Sequence, residues 1–91
     1  MVVSSSDKAH IFDVNPKVVP VPVIATFSKD GDVCPLYFSA EGIRIKIDNI
    51  KWKQKKMACI EFQCEITLSD RVEEVRLYYY TREQIWTLER K

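Results

Sequence analysis

Residues 57–68 read MACIEFQCEITL, and the spacing of their apolar side chains decides the fold class. Ala58, Ile60, Phe62, Cys64, Ile66 and Leu68 occupy every second position, with Cys59, Glu61, Gln63, Glu65 and Thr67 between them. In extended chain successive side chains point to opposite faces, so this is a strand with one buried face. Wound as a helix, the same residues would scatter six apolar side chains around the whole circumference. The stretch is predicted to be the centre of a small antiparallel sheet.

Its neighbours follow from the same alternation. Upstream, Ile43, Ile45 and Ile47 keep odd phase while Ile50 and Trp52 keep even phase, so the phase changes at Asp48-Asn49. A one-residue bulge there turns all five toward one core and bends the strand, as small barrels do to close. With residues 55–57 as a three-residue loop, Trp52 falls opposite Ile60, Ile50 opposite Phe62, Ile47 opposite Cys64 and Ile45 opposite Ile66. Lys51 then lies beside Glu61 and Lys46 beside Glu65 on the outer face. Downstream, a loop at residues 69–72 brings Val75, Leu77 and Tyr79 to face Ile66, Cys64 and Phe62, with Arg76 outside beside Glu65. A last loop at residues 81–84 sets Trp86 opposite Tyr79, Leu88 opposite Leu77 and Arg76 near Glu89.

Toward the N-terminus, residues 19–28 (VPVPVIATFS) alternate as a strand. Pro20 and Pro22 have no N–H to donate, which places its start at a sheet edge. KDGD at residues 29–32 supplies a hairpin turn, residues 33–39 a short strand interrupted by Pro35, and Glu41-Gly42 a second turn. Asp30 and Asp32 around Gly31 resemble the start of a calcium loop, but the remaining spaced acidic ligands are missing, and a turn is expected. The prediction is an all-β domain over residues 19–91, a small antiparallel curved sheet or barrel of five to six strands, SH3-like or OB-like. Trp52, Ile60, Phe62, Ile66, Leu77, Tyr79 and Trp86 form its expected centre. Residues 1–18, with three serines in a row, are expected to be a mobile tail in which Ile11, Phe12 and Val14 form a segment able to dock.

A chain of 91 residues is one domain and buries only roughly 60–65% of its unfolded surface. Its 14 basic and 13 acidic residues nearly cancel, which excludes a globally basic nucleic-acid binder and leaves room for a local patch. No apolar run approaches the roughly 20 residues that span a bilayer, and MVVSSSDKAH lacks the apolar segment of a signal peptide. No membrane role and a cytoplasmic location are therefore expected. Cys59 and Cys64 stand five apart on one strand and point to opposite faces, so they cannot bridge each other. Cys64 is expected in the core and Cys59 at a rim.

The run from Pro35, PLYFSAEGIRIKIDNIKW, followed by VRLYYYTREQIWTLER, resembles a family of small bacterial domains found in clostridia and related Gram-positive bacteria. These carry a Pro-Leu-Tyr strand, a Gly before an Ile-rich strand ending in Ile-Asp, and a closing Leu-Tyr…Trp hairpin. The resemblance covers roughly residues 21–88. Such domains have no established activity, so it implies a compact β fold in a bacterial cytoplasm and no catalytic residue.

Enzyme signatures are missing from the sequence. It has no Gly-rich phosphate loop, no nucleophile elbow and no cluster of His, Cys and carboxylates, so no enzyme and no cofactor or metal are expected. His10 is the only histidine, and one His without a placed partner makes neither a metal site nor a catalytic pair. Asp48, at the expected bulge, is expected to bond its own turn. Two features remain. Lys51, Lys53, Lys55 and Lys56 around Trp52 belong to a stretch, residues 44–56, with six basic residues and one acidic. Phosphates want charge and bases want stacking faces, so this is the candidate single-stranded nucleic-acid patch. Trp52 on the core face and the neighbouring Glu61 and Glu65 argue instead for a solvated hairpin tip. The second feature is Tyr78 and Tyr80, projecting opposite to Leu77 and Tyr79, with Ile85, Arg76 and Arg82 nearby. Tyrosine and arginine are enriched at protein interfaces, and this strip is the candidate surface for a protein partner or self-association. Packing of its aromatics on the N-terminal tail is the rival expectation, and stacking of the exposed tyrosines on nucleobases, together with the lysines at 51–56, is the alternative.

Overall fold

The computed structural model describes residues 18–89. Residues 1–17, 90 and 91, and with them most of the expected tail, its Ile11, Phe12 and Val14, and His10, lie outside the described residues. In chain order the strands are β1 (Val18–Pro20), β2 (Val23–Phe27), β3 (Val33–Ala40), β4 (Ile43–Lys46), β5 (Asn49–Lys55), β6 (Cys59–Leu68), β7 (Arg71–Tyr80) and β8 (Ile85–Glu89). They form two antiparallel sheets among the described residues, one in the order β1-β8-β7-β6-β5 and one in the order β2-β3-β4. The stretch at residues 57–68 becomes β6, in the middle of the larger sheet, with β7 and β5 on either side as expected.

The chain passes between the sheets at two corners. At the first, Val21 N–H donates to Trp86 O at 3.1 Å in the larger sheet, while the carbonyl of Pro22 accepts from Ser39 N–H at 3.0 Å in the smaller. At the second, Ile47 N–H donates to Leu36 O at 2.9 Å and Asp48 N–H to Glu65 O at 2.9 Å. Each corner thus bonds one residue to each sheet. The strand expected over residues 19–28 is accordingly divided. Pro22 has no N–H to extend the pairing with β8, but its free carbonyl serves the other sheet. β1 is an edge strand, as the prolines predict.

Two registers differ from expectation, each because of turn or bulge chemistry. Lys56 N–H donates to Cys59 O at 2.8 Å, closing a turn at Met57-Ala58 that sets Lys55 opposite Ile60. The bulge expected at Asp48-Asn49 is the second corner, and the extra residue of β5 is Lys51, between the pairs Ile50–Cys64 and Trp52–Gln63. That bulge reverses the phase of β5, so Ile50 packs on the core while Trp52 is turned outward, 40% exposed. Trp52 is therefore not a core residue. Between β6 and β7, Ser69 and Asp70 have φ of 50° and 70°, the positive values a tight two-residue hairpin turn requires. The shorter turn moves the pairing by two residues, to Phe62–Leu77, Cys64–Val75 and Ile60–Tyr79. An even shift keeps every side chain on its expected face. The β7–β8 register is the expected one, with Tyr79 opposite Trp86 and Leu77 opposite Leu88.

The core lies between the sheets. Phe62, Cys64, Ile66, Leu77 and Leu88 from the larger sheet meet Phe38 and Pro35 from the smaller, and all are essentially solvent-free. Pro35 does not interrupt β3. The strand carries an extra residue, Leu36, opposite the Ile24–Ala25 step, and a proline beside a bulge leaves no ladder bond missing. Tyr79 and Phe62 pack on Trp86 with ring centroids 4.8 and 5.6 Å away, and Phe27 meets Tyr79 edge-on at 6.0 Å. None of the described residues forms a helix long and apolar enough to cross a membrane.

Candidate functional site

The outer face of the larger sheet takes the polar half of each strand's alternation. One row across it runs Trp52, Gln63, Arg76, Glu89 and Val18. The next runs Gln54, Glu61, Tyr78, Thr87 and Pro20, and a third Cys59, Tyr80 and Ile85. Antiparallel pairing sets such residues about 4.5–5.5 Å apart, so side chains in a row touch.

These contacts make one connected network. Arg76 Nε donates to Gln63 Oε1 at 2.9 Å, and Gln63 Nε2 donates to Glu74 Oε1 at 2.7 Å. Lys51 Nζ donates to the other oxygen of Glu74 at 2.8 Å, and that bond and charge raise the pKa of Lys51. The Arg76 guanidinium also stacks on Trp52. Gln63 is buried although it faces outward, because its long neighbours close over it and satisfy its amide. Beside this network the Tyr78 hydroxyl donates to Glu89 Oε1. Partial burial, and then that bond, push the Tyr78 pKa up to about 12.

The candidate interface residues are brought together with one exception. Tyr78 and Tyr80 stack with ring centroids 6.5 Å apart, Ile85 stands opposite Tyr80, and Arg76 lies one row on. Arg82 does not join them: it sits in the β7–β8 turn and lines a small hollow with Met57 and Thr81. Three of the four lysines of the candidate patch are drawn to carboxylates. Lys51 reaches Glu74 and Glu65, Lys53 lies 4.0 Å from Asp32 of the β2–β3 turn, and Lys56 pairs with Glu61 at 2.7 Å. The expected Lys51–Glu61 pair is replaced because the β5–β6 register differs, and Lys46 does not meet Glu65 because β4 belongs to the smaller sheet, where Lys46 stands opposite Tyr37. Asp48 accepts from Thr67 Oγ1 at 2.7 Å, across to β6 rather than within its own turn. Asp30 and Asp32 give their backbone N–H groups to Ser28 Oγ at 3.2 and 3.0 Å, the work of a turn. Among the described residues no group of three or more His, Cys, Asp or Glu side chains is placed to hold a metal ion.

Sequence reasoning missed Trp52 and Glu74 as members of this face, and placed Gln63 and Glu89 on it without marking them as parts of a site. Gln63 carried a usable signal: an uncharged polar residue at the middle of the most regular strand, flanked by glutamates, marks where an outer face needs both a donor and an acceptor. Trp52 carried none, since only the bulge at Lys51 moves it outward.

A second concavity opens at the other side of the molecule, between β4 and the ends of β6 and β7. It has a volume of about 200 Å³, walls of Phe38, Ile43, Ile45, Ile66, Leu68 and Leu88, and Glu41, Glu73 and Glu74 among its lining residues.

Compared with family models, with curated proteins and with solved structures, the chain finds no match.

Proposed function

We propose that this domain is a non-enzymatic interaction module that binds a protein partner or a second copy of itself through Trp52, Tyr78, Tyr80 and Ile85. The observation that carries the reading is the aromatic strip itself. Tyr78 and Tyr80 stack beside Ile85, which is 48% exposed, and Trp52, two strands away on β5, lies under the Arg76 guanidinium. Large aromatics already fixed in place lose little entropy on binding, and a polar network around them forms a suitable rim. The charges support a protein over a nucleic acid: the face carries Lys51, Lys56 and Arg76 against Glu61, Glu65, Glu74 and Glu89. A phosphate backbone needs the opposite balance.

The scaffold we infer is one small barrel of six strands in the SH3-like or OB-like range. Supporting this, β1 and β2 lie on one continuous run of chain and β4 and β5 on another, each pairing in both sheets. The resemblance at residues 21–88 agrees with such a module working in a bacterial cytoplasm.

Sedimentation velocity on the full chain and on its Tyr80→Glu variant tests the function. The expected result is a concentration-dependent complex, of the chain with itself or with a captured partner, that the variant loses. A complex unchanged by Tyr80→Glu would remove the strip from the interface. Fluorescence anisotropy with single-stranded DNA and RNA at low salt is expected to show no binding, and binding abolished by neutralising Lys53, Lys55 and Lys56 would reverse the choice of partner.

A further inference from the structure

We propose that the apolar groove between β4 and the ends of β6 and β7 is the seat of this chain's own residues 11–14, with the Phe12 ring filling it. This goes beyond the interaction reading and does not depend on it.

The first argument is reach. Val18 stands opposite Glu89 and Val19 opposite Leu88, and Leu88 is a wall of the groove. The N-terminal end of β1, at Val18, therefore lies one strand from the groove and points toward the end of the sheet where Val75, another lining residue, stands. An extended chain advances roughly 3.3 Å per residue, so Val14 lies within about 13 Å of Val18 and Ile11 within about 23 Å. From β1 to β7, whose end lines the opening, is two strand spacings, about 10 Å sideways. The outer strip lies the other way. Tyr80 and Ile85 sit at the far end of β7 and β8 from Glu89, so the tail reaches them only by reversing and running back along β1.

The second argument is fit. A cavity of about 150 Å³ lined by aliphatic side chains accommodates a benzene-sized ring, and this groove offers 200 Å³. Ile43 and Leu68, two of its walls, are exposed by 61% and 37%, surface that a short apolar segment would cover. Residues 8–17 read KAHIFDVNPK. Ile11, Phe12 and Val14 supply the apolar side chains. The outer surface at this same end is instead mostly charged, with Glu65, Glu74 and Lys51, and offers an apolar segment the exposed Val72 side chain rather than a groove.

Methyl and aromatic nuclear magnetic resonance on the full chain tests the seat. Contacts are expected from the Phe12 ring to the methyls of Ile43, Ile45, Leu68 or Leu88, and Phe12→Ser should shift those methyls while leaving Ile85 unmoved. A thermal melt of Phe12→Ser should fall by several degrees. Phe12 contacts to Tyr78, Tyr80 or Ile85, or no contacts at all, overturn the proposal. A sample mixing labelled and unlabelled chains separates one further outcome: contacts found only between chains overturn the same-chain seat. Tyr80→Glu, which disrupts the partner surface, should leave the Phe12 contacts in place, so failure of the interaction reading and failure of this one are read separately.

Discussion

The guanidinium carbon of Arg76 lies 5.1 Å from the centroid of the Trp52 ring, and the two side chains meet across Gln63, which stands between them on β6. A cation over an indole face contributes about 0.5–1 kcal/mol at an exposed site. Here it also holds the Arg76 side chain where its Nε reaches Gln63. Stack and hydrogen bond therefore depend on one another, and the outer face behaves as a unit rather than as separate surface residues.

That dependence is measurable by urea unfolding. Arg76→Met leaves the buried Gln63 Oε1 without its donor and is expected to cost about 1–3 kcal/mol. Gln63→Met in the same chain removes the orphaned acceptor, so the double variant should lose clearly less than the two single variants added together. Additive costs would show that the network is not coupled.

Phe62 is fully buried and packs on Trp86. Phe62→Ala is expected to cost about 3–5 kcal/mol, a large part of the stability of so small a domain. A thermal melt lowered by less than a few degrees would contradict its place at the centre.

Alkaline pH should destabilise the fold through two groups. Burial raises Cys64 to about 12 from an ordinary 9.0, and Tyr78 stands at about 12 against an ordinary 10.0. Both bind their proton more tightly folded than unfolded. Their contribution is complete below pH 9 and is lost as pH rises from there toward 12. Urea midpoints should fall over that window, and more gently in Tyr78→Phe, whose absorbance titration subtracted from that of the parent chain should give a single transition near 12.

The thiols should react in the order of their exposure. Cys34 is exposed, Cys59 half-buried and Cys64 buried with its pKa raised, and the thiolate is the reactive form. With Cys34→Ala and Cys59→Ala in one chain, the remaining thiol is expected to react with a disulfide reagent only as fast as the protein unfolds. Rapid modification of that chain at neutral pH would place Cys64 outside the core.

Much of the fold was legible because period-two patterning survives errors of register. β6, β7 and β8 keep their predicted faces even where the β6–β7 pairing moved by two residues, since Ser69 and Asp70 make a tighter turn than the four-residue loop expected. Glycine marks such turns openly, as at Gly31 and Gly42, whereas serine and aspartate at positive φ do so only weakly. The candidate site was legible in part. Tyr78, Tyr80 and Ile85 follow from alternation alone. Trp52 does not, because an extra residue in an edge strand is decided by local twist and by the partner strand, neither of which local spacing records. One odd-numbered shift at Lys51 moved an aromatic from core to surface, and with it the character of the whole face.

The pairing of Val18 with Glu89 has a mechanical consequence. The described stretch of chain enters and leaves the fold at neighbouring points on adjacent antiparallel strands, so tension applied through those two residues pulls across the backbone bonds and not along the strands. Such a load opens β1 from β8 one bond at a time, like a zipper, where a sheared pair would resist with all its bonds at once. Loaded through those two residues, β1 should part from β8 first, at low force, with the aromatic core around Trp86 still closed.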